Sequence, residues 1–178
     1  MKKYLFWLLL LVATLNTSAQ KYVLENGVII FFSEAAIENI KAENVKTGSM
    51  LNTQTGDLAF SVPIREFQFE KKLMQEHFNE KYLESEKFPK STFTGKMTGF
   101  DNTVKGIQQV KAGGKLTIHG VTTAVEISGT AEVQSNKIIL KSKFMVKLAD
   151  YNIKIPQLMW QNIAEQVEVT VDFTYKPQ

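Results

Sequence analysis

The second half of this chain alternates apolar and polar side chains with a period of two, and that period leaves few folds open. Val110, Ala112, Gly114, Leu116 and Ile118 share one face of a segment whose other face carries Lys111, Gly113, Lys115 and Thr117. Val125, Ile127, Gly129, Ala131 and Val133 oppose Glu126, Ser128, Thr130 and Glu132. Ile138, Leu140, Ser142, Phe144, Val146 and Leu148 oppose Lys141, Lys143 and Lys147. Val167, Val169, Val171, Phe173 and Tyr175 oppose Glu168, Thr170, Asp172 and Thr174. Such segments are strands with one dry and one wet face, the habit of antiparallel sheets.

Earlier segments add strands. Leu58–Ile64 keeps Leu58, Phe60, Val62 and Ile64 in phase, Thr92–Phe100 carries Phe93, and Val28–Ser33 is apolar on both faces. A weaker strand runs through Ala42–Leu51. Lys71–Tyr82 sets Leu73, Met74, His77 and Phe78 at helical spacing, so a short helix is expected there, ended before Phe88-Pro89. Ala149–Glu165 is a long connection with Ile153, Ile155, Leu158, Met159, Trp160 and Ile163, and a turn of helix is expected after Pro156. So apolar a connection covers either a barrel mouth, with Met159 and Trp160 as its lid, or the barrel wall. The fold expected is all-β, a single antiparallel barrel of about eight strands with a helix around residues 71–82.

The N-terminus reads as an export signal. Lys2 and Lys3 precede an apolar run over Tyr4–Ala13, and Asn16-Thr17-Ser18-Ala19 offers small residues before Gln20. Residues 1–19 form a secretory signal peptide, cleaved after Ala19, and residues 20–178 form one domain. The alternative, a membrane anchor, needs about 20 apolar residues. Cleavage removes two lysines and no acid, so the formal charge of +3 falls to +1 and 159 residues remain. A soluble, nearly neutral exported product follows, with no expectation of nucleic-acid binding. The chain has no cysteine, which excludes disulfides, thiolate metal sites, a cysteine nucleophile and a lipid-bearing N-terminal cysteine.

Pairing Leu116 with Val125 across a turn at His119–Thr122, and Val133 with Ile138 across the next, keeps the apolar phases on one face. Ala112 then faces Gly129, Gly129 faces Ser142, Gly114 lies one step away, and Lys115 opposes Glu126. This row of small residues either relieves strain at a barrel corner or leaves space for a ligand. The inward set for such a groove is Phe60, Val62, Phe93, Ala112, Gly114, Leu116, Ile127, Gly129, Ser142, Phe144, Val169 and Phe173. An apolar chain gains about 0.8 kcal/mol per buried methylene, so this lining suits a lipid tail without specific polar contacts.

Motifs for chemistry are sparse. The sequence has no glycine-rich phosphate loop, nucleophile elbow or paired-histidine metal motif. His77 reads as a helix residue at the barrel edge. His119 reads either as a turn residue bonded to backbone or as an acid or base in a lipid-modifying enzyme. Neither a metal nor a cofactor is expected. Lys137, Lys141, Lys143 and Lys147 form a stripe, either ion-paired with Glu126 and Glu132 on the next strand or facing a phosphate head group or membrane surface.

Leu116-Thr117-Ile118-His119-Gly120-Val121-Thr122 resembles the signature of the YceI-like family of polyisoprenoid-binding periplasmic proteins. The blocks His77-Phe78 and Phe88-Pro89-Lys90-Ser91-Thr92-Phe93, and Val167-Glu168-Val169-Thr170-Val171 near the end, resemble that family in the same order. His77 and His119 are the histidines within these motifs. The resemblance implies an extended lipocalin-like barrel with an internal tunnel, binding isoprenoids or other long amphiphiles, with no assigned catalytic residue. The chain departs from the pattern at Asn79–Leu83, which lacks a double phenylalanine, and at Gly27–Ser33, which lacks a polar start. The expectation is a periplasmic carrier of a long-chain apolar ligand, with transient membrane-surface contact. The alternatives are a filled-barrel envelope module and an enzyme using His119.

Overall fold

The computed structural model describes residues 21–34, 37–156 and 163–178. The expected signal peptide and the expected lid residues Met159 and Trp160 lie outside the described residues, as does the turn expected after Pro156. Ten strands form among the described residues: β1 (Lys21–Ser33), β2 (Ile40–Asn44), β3 (Gly48–Asn52), β4 (Asp57–Pro63), β5 (Gln68–Phe69), β6 (Lys90–Thr98), β7 (Gly106–Ile118), β8 (Val121–Gln134), β9 (Lys137–Lys147) and β10 (Gln166–Pro177). The expected helix is α1 (Lys72–His77), which continues as a π turn over Phe78–Tyr82. Every pairing is antiparallel, and β10 bonds to both β9 and β1. The strands β1, β3, β4, β6, β7, β8, β9 and β10 therefore close into an eight-stranded barrel, as the alternation predicts.

Two devices shape the N-terminal wall. A bulge in β1 between Leu24 and Asn26 inserts one residue against β10. An extra residue reverses which side chains face inward. Tyr22 and Leu24 pair across from Pro177 and Tyr175, whereas beyond the bulge Gly27, Ile29 and Phe31 face Phe173, Val171 and Val169. The second device divides the run expected as one strand over Ala42–Leu51. β2 and β3 flank β1 in succession, but between them Asn44 turns its side chain to the backbone. Its Oδ1 accepts from the Lys46 amide at 2.8 Å, and its Nδ2 donates to the Pro63 carbonyl at 2.7 Å. β3 then pairs with β4, while β2 pairs with β5.

The β8–β9 register is the expected one, with Val133 opposite Ile138 and Gly129 opposite Ser142. The β7–β8 register differs by two residues. Ile118 pairs directly with Val121, so the turn is His119-Gly120 alone, with φ of 50° and 75°. Positive φ at both central residues marks the two-residue hairpin turn whose twist matches the strands. Phe88 lies against this turn, and a Cβ on Gly120 would come within 2.4 Å of its ring. An even shift preserves the faces but changes the partners. Gly129 faces Val110 instead of Ala112, Ala112 faces Ile127, and Lys115 faces Ala124. Glu126 instead pairs with Lys111 at 2.8 Å. The row Ala112, Gly129, Ser142 is therefore not formed.

Several of the glycines bring backbones together rather than leaving room. Gly95 and Gly114 face each other across β6 and β7. A Cβ on Gly114 would lie 2.4 Å from the Thr94 carbonyl oxygen and 2.9 Å from the Phe93 ring. Phe93 lies over this bare patch and is fully buried. The half of the barrel holding the β3–β4 and β8–β9 turns, here the far end, is packed by Phe93, Phe173, Tyr175, Leu51, Leu58, Met97 and Ile138. Tyr175 is buried with its hydroxyl 2.7 Å from Ser49 Oγ, which also donates to the Ala59 carbonyl at 2.8 Å. Burial pushes the Tyr175 phenol well above its usual range, so it stays neutral.

The contact between glycine backbones sets a stability test. Gly114→Ala should destabilise the barrel by about 2 kcal/mol, the cost of overpacking, whereas Gly113→Ala, whose Cβ would meet nothing within 4 Å, should change stability far less. Urea denaturation of both variants checks this.

Candidate functional site

The opposite half, the helical end, encloses a cavity of about 220 Å³. Its wall is built from the ends of β1, β4, β7, β9 and β10, which contribute Ile29, Phe31, Val62, Leu116, Ile118, Val146, Val167 and Val169. Its cap comes from Phe67 and Phe69 beyond β4, from Met74, His77, Phe78 and Tyr82 of the helical segment, and from Ile153 and Ile163 of the β9–β10 connection. Ile153 and Ile163 thus place the described part of the connection over a barrel mouth.

Four phenylalanines form the aromatic corner of this cavity. Phe31 stacks on Phe78 at 5.3 Å between centroids and meets Phe67 and Phe69 edge-on at 5.6 and 5.5 Å. Phe69 and Phe78 lie 5.0 Å apart. Edge-on and offset pairs of this kind contribute about 0.5–1.5 kcal/mol each beyond their burial. They lock the β2–β5 flap and the helix onto the end of the barrel. Sequence reading missed this cluster. The signal available was the alternation Phe67-Gln68-Phe69 and the doubled Phe31-Phe32, but the β1 bulge obscures which of the latter points inward.

The lining is almost wholly apolar. Glu38 is its only carboxylate, and no lysine or arginine lines it among the described residues. Glu38 pairs with Lys71, and that hydrogen bond holds the ammonium above its ordinary range. Burial raises the Tyr82 phenol, keeping it uncharged. Ser33 Oγ accepts from the Ala164 amide at 3.0 Å, which ties the β9–β10 connection to the end of β1. Among the described residues, no group of three or more carboxylates and histidines is placed to hold a metal.

The residues expected inside fall into two sets. Phe60, Val62, Leu116, Phe144 and Val169 line the large cavity. Phe60 and Phe144, with Phe93, Ala112, Ile127, Gly129, Ser142 and Phe173, also border a second void of about 30 Å³ nearer the far end. Gly114 lines neither, because it faces Gly95. His77 lies at the end of α1 and lines the large cavity. Three lysines of the stripe are ion-paired, but to other strands than expected: Lys141 with Asp172 at 3.1 Å, Lys143 with Glu168 at 2.8 Å, and Lys137 with Glu25. Lys141 lies directly across the ladder from Asp172 on β10, Lys143 reaches Glu168 of the same strand diagonally, and Glu25 belongs to β1.

His119 is the turn residue expected, and more than that. Its Nδ1 donates to the Tyr151 carbonyl at 3.1 Å, and its Nε2 lies 2.8 Å from Glu84 Oε2. Its ring meets Phe88 edge-on at 4.6 Å. Sequence distance concealed the Glu84 partner, 35 residues away. Neither His119 nor Glu84 lines the cavity. Both hold positive φ, 50° and 42°. The pair ties the hairpin tip to the loop before β6 and to the turn Leu148–Tyr151. His119→Ala should therefore cost about 2 kcal/mol in thermal or urea unfolding, as for a hydrogen bond to a charged group, and leave the affinity for an apolar probe within a factor of two.

Comparisons with known proteins agree with this architecture. The family model described as YceI-like domain matches residues 25–175. The fold is similar to a polyisoprenoid binding domain from Saccharophagus degradans implicated in plant cell wall breakdown, with a TM-score of 0.76 and 15% identity, covering 88% of this chain and 98% of that one. It is also similar to Burkholderia cenocepacia BcnA, with a TM-score of 0.71 and 14% identity over 83% of this chain and 95% of that one. The Campylobacter jejuni YCEI protein matches with a TM-score of 0.58 and 16% identity over 100% of this chain and 99% of that one. No curated protein matches significantly. With its family motifs on the strands and turns that enclose the cavity, the chain belongs to the YceI-like domain family.

Proposed function

We propose that the protein is an exported, periplasmic binding or carrier protein for an apolar chain, an isoprenoid or similar long-chain lipid, held in the cavity at the helical end. The observation that carries this reading is the cavity of about 220 Å³ walled by aliphatic and aromatic side chains. A dry apolar space gains affinity from burial alone, at about 0.8 kcal/mol per methylene. The absence of a lining lysine or arginine among the described residues favours recognition of the chain over recognition of a phosphate head group. The S. degradans relative is a polyisoprenoid binding domain, which supports the same ligand class. Export is supported by Lys2, Lys3 and the apolar run that follows them.

The competing readings find less support. A filled-barrel module does not fit the open helical half. An enzyme using His119 has the required carboxylate in Glu84 at 2.8 Å, but neither residue lines the cavity proposed to hold the chain. Transient membrane contact is supported by Ile37 and Leu73, both well exposed, which flank the Glu38–Lys71 ion pair at the mouth.

Native mass spectrometry of the protein purified from its own periplasm should show a bound species released into organic solvent, on a polypeptide beginning at Gln20. Val169 lies between Phe31 and Phe144 on the cavity wall. Val169→Trp should fill the void, abolish the bound species and leave the melting temperature within a few degrees. A ligand-free wild-type protein that also ignores added isoprenoid and fatty-acyl probes would refute the carrier reading.

A further inference from the structure

The cavity at the helical end and the smaller void below it share three wall residues, Phe60, Phe144 and Val171. Phe60 is held between them by its neighbours. Its ring stacks on Phe93 at 5.1 Å with planes 14° apart and meets the edge of Phe173 at 5.9 Å. Phe93 and Phe173 are themselves 1% exposed, so the shelf has a solid base. Phe173 in turn meets Tyr175 edge-on at 6.0 Å. The interior is thus divided by a floor of aromatic rings, with unfilled space on both sides of it.

We infer that Phe60, seated on Phe93 and Phe173, is the chain-length determinant of this barrel, admitting about ten carbons of an apolar chain and holding the remainder outside. The inference rests on the carrier reading and adds to it the ligand's reach. On β10 the cavity lining runs from Val167 to Val171, four strand steps, or about 13 Å. Tetrahedral C–C bonds of about 1.5 Å advance an extended chain about 1.3 Å per carbon, so this depth takes roughly ten carbons. The void beyond the floor extends the lining to Phe173, two further steps, or about 7 Å, enough for roughly five more. The floor therefore stands between two isoprene units and three.

Calorimetric titration of the full mature protein with a series of straight-chain alcohols of eight to eighteen carbons tests this. For the wild type, affinity should rise about fourfold per carbon up to roughly ten carbons and then level off. For Phe60→Ala the rise should continue for about four more carbons. Phe60→Leu, which keeps most of the buried surface and so guards against an unfolded alanine variant, should extend it by one or two. An unbroken rise to eighteen carbons in the wild type, or the same plateau in all folded variants, would overturn the floor while leaving the carrier reading intact. Failure of every alcohol to bind wild type and variants alike would overturn both.

Discussion

Closure of the sheet through β1 and β10 fixes the size of the interior, and everything else follows from how that interior is filled. Eight strands enclose a space that side chains can just fill or that one small ligand can occupy. Here the two outcomes coexist in one barrel. The far end has paired glycines that let strands approach and large rings that occupy the centre. The helical end has valines, isoleucines and leucines on the same inward phase, with Phe31 gathered against the cap phenylalanines at one corner and Phe60 and Phe144 at its base. Aliphatic walls without a central ring leave the cavity open.

The alternation of β7 to β10 is legible because each of these strands has one wet face, so the barrel and its inward residues could be read directly. What could not be read were the features that depend on a single backbone conformation. His119 in the left-handed region shortens a turn by two residues, and no side-chain pattern announces that for a histidine. The consequence was confined to partners: Gly129 met Val110, and Lys111 took the acid expected for Lys115. Had the shift been odd, every face would have reversed.

The cavity itself was only half legible. Five of the expected inward residues line it, because they lie on the helical half of strands whose phase is plain. Ala112, Gly129 and Ser142 border only the small void, and at Gly129, where a Cβ would lie 2.5 Å from the Lys141 carbonyl oxygen, smallness serves close strand packing. Phe31 is hidden by the β1 bulge, Phe67 and Phe69 belong to a segment too short to show a period, and the helical spacing that includes Phe78 does not show which rings it meets. They converge only because Asn44 ends β2 and frees β5 to pair with it. The histidine of the family motif has a related explanation. Its ring fastens the hairpin tip to the loop entering β6, a contact made across 35 residues of sequence.

The barrel holds a cavity of about 220 Å³ at one end and only a small void of about 30 Å³ at the other, and the proposed ligand occupies the larger space. Methyl-resolved NMR of the protein titrated with decanol measures this directly. Shifts are expected at Ile29, Val62, Leu116 and Val169 and none at Leu51, Leu58 or Ile138. Shifts spread evenly along the barrel, or confined to the far-end set, would contradict it.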